Sequence, residues 1–272
     1  MSNNLAAISV IRRLHEHGIF YFTSRLLADL LACDRSQVYQ LIRRLVRTGL
    51  IAEIENGKYL LLGFEPERTL ANPLFIACHL VSPGYISFWS ALHAHGLTEQ
   101  VPLTVYVATT RKKPPLEYAG YRFRFVTIQP RKFFGYYREY TGGLPVVIAD
   151  REKALIDSLS EPEYAGGIAE VAKALRAAID EIDLNTLIEY ANCIGDKSLG
   201  SRLGFLLDLL GRPVEPCDKA SAIDGEPGAP CLIRSRSLVK LDPSRPLHGR
   251  RNARWRLDVN LSLEELTTEG VG

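Results

Sequence analysis

The chain has 272 residues, a formal net charge of +2 and 46% apolar residues, which is ample for hydrophobic cores and predicts two domains or three small ones. The N-terminal segment is interrupted by Arg12 and Arg13, and no stretch reaches the roughly 18 uncharged apolar residues of a membrane span. We therefore expect no secretory signal and no membrane segment, and we place the protein in the cytoplasm.

The cysteines exclude two further classes of protein. They are odd in number, scattered and without a C-x-x-C pair, which argues against a disulfide framework and a structural zinc site; they are Cys33, Cys78, Cys193, Cys217 and Cys231. His79, His93 and His95 have no partner pair at ligand spacing. We expect no metal and no cofactor.

The segment from Phe22 to Leu62 has the pattern of a winged helix-turn-helix. Leucines at helical spacing over 26–31 follow Thr23 and Ser24, either of which can cap a helix. A second helix is predicted over 36–48, with Asp34 or Ser36 at its start and Gly49 just past its end. A strand over 50–55, a tight turn and a strand over 58–62 complete the wing.

The second of these helices has the layout of a DNA-recognition helix. Val38, Leu41, Ile42, Leu45 and Val46 fall on one side, and the opposite side has amides and hydroxyls first and arginines later, with no acid. Glutamine can pair with adenine and arginine with guanine or phosphate. The alternative is an ordinary solvated face. The predicted DNA-binding residues are Arg35, Ser36, Gln37, Tyr39, Gln40, Arg43, Arg44, Arg47 and Lys58.

A mixed α/β region is predicted beyond the wing. Residues 63–68 have the composition of a linker, and helices are expected over 73–81 and 85–95, the second of them packing against a sheet. Strands are predicted over 101–109, 121–128, 134–140 and 146–149, with a basic loop at 111–115. Asp150 is expected to cap a helix that ends at Leu159.

The last third is predicted to be helical first and then β. Helices are expected over 167–180, 184–193 and 198–210, followed by a loop over 211–230. Strands are expected over 237–241 and 253–260 on either side of a basic turn, with a frayed tail after Glu264. The predicted fold class is α+β: a winged helix-turn-helix is followed by a mixed α/β region with a small sheet and a helical C-terminal part. The predicted domains are residues 1–64, 85–160 and 161–265, and residues 65–84 are predicted to connect the first two.

Charge is strongly segregated along the chain. Residues 150–230 carry 8 Lys/Arg against 16 Asp/Glu, a net of −8, whereas residues 231–256 carry 8 against 1, a net of +7. The basic stretch is predicted either to bind a polyanion or to dock onto the acidic stretch of the same chain. Its candidate residues are Arg236, Lys240, Arg245, Arg250, Arg251 and Arg254.

Five blocks in order, together with the winged N-terminus, carry a family resemblance. They are YISFWSALHAHGLTEQVP at 85–102, VYVATTR at 105–111, IADREKALIDSL at 148–159, SRLGFLLDLLG at 201–211 and WRLDVN at 255–260. Together they resemble the AbiEi antitoxin family over nearly the whole chain. The resemblance implies a DNA-binding protein that represses its own operon. It also implies a type IV antitoxin that counters a nucleotidyltransferase toxin of the AbiEii type. The candidate partners are operator DNA, the toxin and RNA.

Two other functions are weighed against this one. Gly200-Ser201 resembles the start of a nucleotidyltransferase site, but no D-x-D or D-x-E pair follows it, and Asp208 stands alone. Asp150 and Glu152 lie at a helix start, where acids favour the helix dipole, and Lys153 and Asp157 are expected to form a solvated i,i+4 pair. We therefore predict no catalytic residues. The alternative function is a stand-alone winged-helix regulator that senses a small ligand.

We make a separate prediction for Arg202. It precedes Leu203-Gly204 in the C-terminal helical region and is predicted to anchor an acidic partner. An internal salt bridge is the favoured outcome.

Overall fold

The computed structural model describes residues 2–218 and 231–267, and it is a mixed α+β fold with several small sheets. The N-terminal part consists of two helices and a hairpin that follow a first helix and a short strand. These elements are α1 (Ser2–Glu16), β1 (Tyr21–Thr23), α2 (Ser24–Leu31), α3 (Arg35–Arg47), β2 (Ile51–Glu55) and β3 (Lys58–Leu61). The three strands form an antiparallel sheet in the order β1-β3-β2.

Local signals define the ends of these elements. The Thr23 hydroxyl accepts a hydrogen bond from the Leu26 amide and caps α2. The Asp34 carboxylate accepts the Gln37 amide at 2.9 Å and caps α3. Gly49 follows the end of α3 with a φ of +71°, a conformation that favours glycine. The predicted helices and hairpin are therefore present, with ends moved by one or two residues.

The middle of the chain forms a six-stranded sheet with helices beside it. Its helices are α4 (Pro66–Leu70), α5 (Pro73–Leu80) and α6 (Phe88–Ala94), and its strands are β4 (Gly84–Ile86), β5 (Thr104–Thr109), β6 (Leu116–Tyr118), β7 (Tyr121–Thr127), β8 (Tyr136–Thr141) and β9 (Leu144–Ala149). The strand order is β6-β7-β5-β4-β9-β8. The sheet is mixed, since β5 runs parallel to β7 and β4 parallel to β9, whereas the other pairs are antiparallel.

Two expectations for this region are wrong, and one strand was not expected. The helix predicted over 85–95 is split, because Tyr85 and Ile86 pair with β5 and Ile86 also pairs with β9 in the middle of the sheet. The helix α6 starts only at Phe88. Part of the predicted linker forms α4, which has Pro66 at its first position. The strand β6 was not predicted at all.

The C-terminal part begins with four helices and ends with short strands. The helices are α7 (Arg151–Ser160), α8 (Ile168–Ala178), α9 (Leu184–Ile194) and α10 (Lys197–Leu209). They are followed by β10 (Glu215–Cys217), β11 (Cys231–Ile233), β12 (Val239–Lys240), β13 (Arg250–Asn252), β14 (Leu257–Val259) and α11 (Leu263–Thr267). Strands β10 and β11 form a parallel pair, and β12, β14 and β13 form a separate sheet in that order.

The C-terminal strands also differ from expectation. Arg250 and Arg251 lie in β13 rather than in a turn, while residues 253–256 turn the chain into β14. This turn places the Trp255 side chain in the core, where it is fully buried. The tail predicted to fray after Glu264 continues as helix to Thr267. Residues 219–230 of the predicted loop lie outside the described residues.

The cysteine prediction requires a correction. Cys217 and Cys231 form a disulfide with their Cα atoms 5.8 Å apart, a usual span for such a bond. Because the two residues are 14 positions apart, no short motif signals the pair. Cys33, Cys78 and Cys193 are free.

The buried apolar side chains form two clusters. One lies inside the N-terminal part and contains Leu27, Ile42 and Leu45. The other includes Ile54 and Leu60 of the β2–β3 hairpin and extends through the rest of the described chain. The Phe20 ring packs against both clusters. It contacts the Phe75 ring edge to face, with the two ring centroids 5.4 Å apart. In the described ranges, no helix is long and apolar enough to cross a membrane.

Candidate nucleic-acid interface

The outward face of α3 is exposed as a continuous polar strip. The buried positions of the helix are Val38, Ile42 and Leu45, and the opposite face is left to solvent. The exposed predicted residues are Arg35, Ser36, Gln37, Tyr39, Gln40, Arg43 and Arg47. Residues three or four positions apart lie beside one another on a helix, so Ser36, Gln40, Arg43 and Arg47 form one row and Tyr39 flanks it. Such a row places amide and hydroxyl groups before guanidinium groups along the axis.

Three positions of α3 depart from the predicted layout. The Gln37 side chain accepts the Asp34 amide at 3.4 Å, so it completes a capping box. Arg44 is half-buried rather than fully outward, and Val46, predicted to face the core, is 41% exposed. Despite these differences, one row of exposed residues remains on the outward face, formed by Ser36, Gln40, Arg43 and Arg47.

The start of α3 has a negative charge beside its polar strip. The Gln37 amide donates to the Asp34 carboxylate, and this bond and others from Ser36 hold the pKa of Asp34 below its usual value. An ionised carboxylate at this end of the helix repels phosphate. On the outward row, the arginines furthest from this carboxylate are Arg43 and Arg47, in the C-terminal half of the helix.

The β2–β3 hairpin does not present Lys58 as a free cation. The Lys58 ammonium lies 3.1 Å from the Glu55 carboxylate, and the Lys113 ammonium lies 2.6 Å from the same group. Burial would raise the pKa of Glu55, but the hydrogen bonds from Lys113 and Lys58 hold it below its usual value. Lys113 belongs to the predicted basic loop, and no sequence signal connects it to a residue 58 positions away.

The second predicted surface is only partly free. Arg254 pairs with Asp208 and Glu215, and Arg245 pairs with Asp242 and Glu265. The Lys240 ammonium donates to the carbonyl oxygens of Pro243 and Arg245. The exposed side chains of Arg236, Arg250 and Arg251 form no ion pair within the described residues. Among these candidates, Arg254 docks onto the acidic stretch 150–230, whereas Arg245 and Lys240 have partners within residues 242–265. Binding of a polyanion stays a prediction.

The predicted i,i+4 pair of Lys153 and Asp157 is present, but the prediction that it is solvated is wrong. Both side chains are almost completely buried, at 0% and 4% exposure, and they are in direct contact. The Asp157 carboxylate also accepts hydrogen bonds from the Tyr85 and Ser87 hydroxyls at 3.0 and 2.7 Å. Burial lowers the pKa of Lys153, although Asp157 opposes the shift. This network connects strand β4 to α7 inside the core.

The other groups weighed for catalysis have structural partners. Asp150 caps α7 and accepts the Tyr190 hydroxyl, while Glu152 accepts the Asp183 amide. The Asp208 carboxylate accepts the Trp255 indole N–H at 2.6 Å, and the Ser201 hydroxyl accepts the Ser235 amide. In residues 2–218 and 231–267, no three His, Cys, Asp or Glu side chains form a group that could hold a metal ion.

The buried Arg202 has an internal partner, but not a carboxylate within ion-pair distance. Its Nε donates to the Lys240 carbonyl oxygen at 3.1 Å. Burial lowers the pKa of Arg202, while the more distant Asp196, Asp242 and Glu161 oppose that shift. The favoured salt bridge is therefore replaced by a hydrogen bond to the backbone that anchors α10 to β12.

A cleft lies between α1 and the segment that leaves β3. Its volume is about 550 Å³. Its lining is mostly apolar and includes Ile8, Ile11, Phe20, Leu61, Leu62, Phe64 and Leu144. Arg12, His15 and Arg68 also line it, together with Glu16 and Glu65. The sequence could not show that α1 and the segment after β3, which are distant along the chain, enclose a common space.

Comparison with known proteins supports the fold alone. No family model matches the chain, and no curated protein matches it. Among solved structures, the crystal structure of RV2827C protein from Mycobacterium tuberculosis is similar, with a TM-score of 0.56 and 14% identity; the match covers 94% of this chain and 92% of that one. At this identity the likeness indicates a shared architecture.

Proposed function

We propose that the chain is a sequence-specific DNA-binding regulator whose N-terminal part is a winged helix-turn-helix. The observation that carries the proposal is the exposed row on α3, where Ser36, Gln40, Arg43 and Arg47 share one face and no acid interrupts them. Helix α2 precedes it across a short turn, and the β2–β3 hairpin follows it. This order is that of winged DNA-binding modules.

The row assigns different roles to its two halves. Gln40, in the N-terminal half, can pair with the edge of an adenine in the major groove. Arg43 and Arg47 reach phosphates, since they lie further from the Asp34 carboxylate. Specificity would then come from the first half of the helix and much of the affinity from the second.

Two single substitutions test these roles on a fragment of the operator DNA. Gln40→Ala should relax base preference at one position at a cost of about 1–3 kcal/mol. Arg47→Ala should weaken binding to all sequences and reduce the salt dependence by about one phosphate contact. Arg138→Ala is the matched control, because Arg138 is exposed on β8 away from α3. Affinity unchanged in the Gln40→Ala/Arg47→Ala double variant would refute the assignment of α3.

We further propose, on the resemblance to the AbiEi family, that this regulator is the antitoxin of a toxin–antitoxin operon in the cytoplasm. The expected partner is a nucleotidyltransferase toxin, and the expected DNA target is the operator of the same operon. Arg43→Ala/Arg47→Ala should abolish repression of a promoter fusion while still protecting cells that express the toxin. Loss of both activities in a folded variant would contradict separate surfaces, and a gene with no neighbouring nucleotidyltransferase would contradict the antitoxin assignment.

A second candidate function has one observation in its favour, the cleft beside α1. Its apolar lining and the guanidinium group of Arg12 suit a ligand with an apolar body and an anionic group. Arg68, which also lines the cleft, pairs with Glu65 and donates to the Gly142 carbonyl oxygen. The chain would then be a ligand-sensing regulator. Octanoate is a suitable probe: it should raise the melting temperature of the wild-type protein and change its affinity for operator DNA, and Arg12→Ala should reduce both effects. Octanoate without effect on either quantity would count against this candidate.

A further inference from the structure

Four arginines of the C-terminal region lie close together around a short acidic segment. We define the arginine cluster as Arg234, Arg236, Arg254 and Arg256, and the 214–218 segment as β10 with one residue on either side. Asp218 lies 3.2 Å from Arg234 and 3.8 Å from Arg256. Glu215 lies 3.4 Å from Arg254, which also donates to the Val214 carbonyl oxygen at 2.8 Å.

The segment largely neutralises the cluster. Four arginines face the carboxylates of Asp208, Glu215 and Asp218, a local sum of 4 − 3 = +1 among the described residues. Without Glu215 and Asp218 the sum is 4 − 1 = +3. Arg254 is 41% exposed and Arg256 33% exposed even with the segment in place. The guanidinium groups therefore remain at the surface, and the segment supplies most of the opposing charge.

The segment is held by its ion pairs with the arginine cluster and by the packing of Val214 against the core, whereas its β pairing is short. Strand β10 has three residues and pairs with β11 alone, in a parallel arrangement. Pro216 in its middle has no amide hydrogen to donate. Two-stranded pairs of this length are marginal on their own. The covalent restraint is the Cys217–Cys231 disulfide, which joins β10 to β11, next to Asp218.

We propose that the arginine cluster is a binding site for the phosphodiester backbone of a nucleic acid, and that the disulfide-tethered 214–218 segment covers it. A dithiol reductant transfers two electrons and two protons to the Cys217–Cys231 bond, which yields two thiols, and the reductant becomes a disulfide. The segment then leaves β11 and takes Glu215 and Asp218 with it. In a reducing cytoplasm the cluster is open, and oxidation closes it.

This site is separate from α3, and the inference does not require the proposed operator binding. The test therefore uses the full chain with Arg43→Ala and Arg47→Ala. Affinity is measured by fluorescence anisotropy with a 20-nucleotide RNA and a 20-base-pair DNA of arbitrary sequence, before and after treatment with dithiothreitol. Thiol alkylation and mass spectrometry report the state of Cys217 and Cys231 in each sample.

Reduction is expected to tighten binding roughly tenfold and to steepen the salt dependence by about two phosphate contacts. Equal gains on RNA and DNA support recognition of the backbone. A gain on only one of them, dependent on the same arginines, also supports the site and identifies the polymer. Unchanged affinity once both thiols are free would overturn the proposal, as would two cysteines that both remain open to alkylation after treatment with an oxidant.

Three variants test the arginine cluster and the 214–218 segment separately. Cys217→Ser/Cys231→Ser should bind tightly with or without reductant, and Glu215→Gln/Asp218→Asn should bind tightly while the disulfide is intact. Arg236→Gln/Arg256→Gln should lose the gain on reduction, with circular dichroism checking that it is folded. Persistence of the full gain in the folded arginine variant would place the effect elsewhere and overturn the assignment.

Discussion

The indole ring of Trp255 lies directly against the backbone of α10 at Gly204. A Cβ atom on Gly204 would come within 2.2 Å of the ring, at its Cη2 atom. One turn further along α10, the Asp208 carboxylate accepts the indole N–H at 2.6 Å. Residues 201–211 and 255–260 are therefore one packing unit, in which a missing side chain on the helix makes room for the largest buried side chain of the protein.

This contact predicts whether a substitution at Gly204 stabilises or destabilises the protein. Gly204→Ala should destabilise the protein by about 1–3 kcal/mol, because the added methyl group forces the Trp255 ring out of place. Helix propensity alone predicts the opposite, a gain of about 1 kcal/mol for replacing glycine within a helix. Urea denaturation followed by tryptophan fluorescence measures the difference. A stabilised variant would show that the ring does not lie against Gly204.

The buried ion pair predicts a large effect of removing one charge. Lys153→Met leaves the Asp157 carboxylate buried without its cation and should cost about 3–5 kcal/mol. The double variant Lys153→Met/Asp157→Asn should be more stable than the single one, since no uncompensated charge remains. Lys173→Met is the matched control: Lys173 pairs with Glu170 near the surface of α8, and its loss should cost at most about 1 kcal/mol. Equal effects of the two Lys→Met changes would contradict the buried network.

His79 predicts a loss of stability in mild acid. Burial against Tyr21 and Phe75 lowers the pKa of His79 from 6.5 to about 4. The unfolded chain therefore takes up the proton at higher pH than the folded chain does. The stabilisation is complete above pH 6.5 and is lost as the pH falls to about 4, with a total near 3 kcal/mol. Denaturation of the wild type and of His79→Phe across this range should differ in slope.

A matched substitution isolates that effect from other titrating groups. His17 is exposed just after α1, so His17→Phe is the control for replacing a histidine by phenylalanine outside the core. If His79→Phe also keeps the wild-type slope between pH 6.5 and 4, another group causes the acid sensitivity.

The contact between Glu55 and two lysines predicts a gain in DNA affinity. Glu55→Gln releases the charges of Lys58 and Lys113 and should strengthen binding to operator DNA, with a salt dependence steeper by about one or two phosphate contacts. Glu117→Gln is the control, because Glu117 pairs with Arg122 on an exposed part of the six-stranded sheet. Unchanged affinity and salt dependence in Glu55→Gln would mean that the hairpin does not approach the duplex.

The sequence alone predicted the helix ends, because these depend on residues that lie close together in the chain. Asp34 caps α3 through a residue three positions away, Gly49 ends it, and Asp150 caps α7 in the same manner. The face of α3 was also predictable, because the helical repeat alone separates Ile42 from Arg43 and Arg47. The exposed row of α3 could therefore be predicted from the sequence, whereas the positions of Gln37, Arg44 and Lys58 differ from the prediction.

Only the tertiary structure decided which charges are free and which are engaged. Lys58 belongs to the predicted site, but Glu55 and Lys113 become neighbours across 58 positions of the chain. Asp157 acquires Tyr85 as a partner across 72 positions, and β4 becomes a strand because it lies between β5 and β9. Capping and helical periodicity act within a few residues of the chain, whereas burial and ion pairing depend on distant segments that the folded chain brings together.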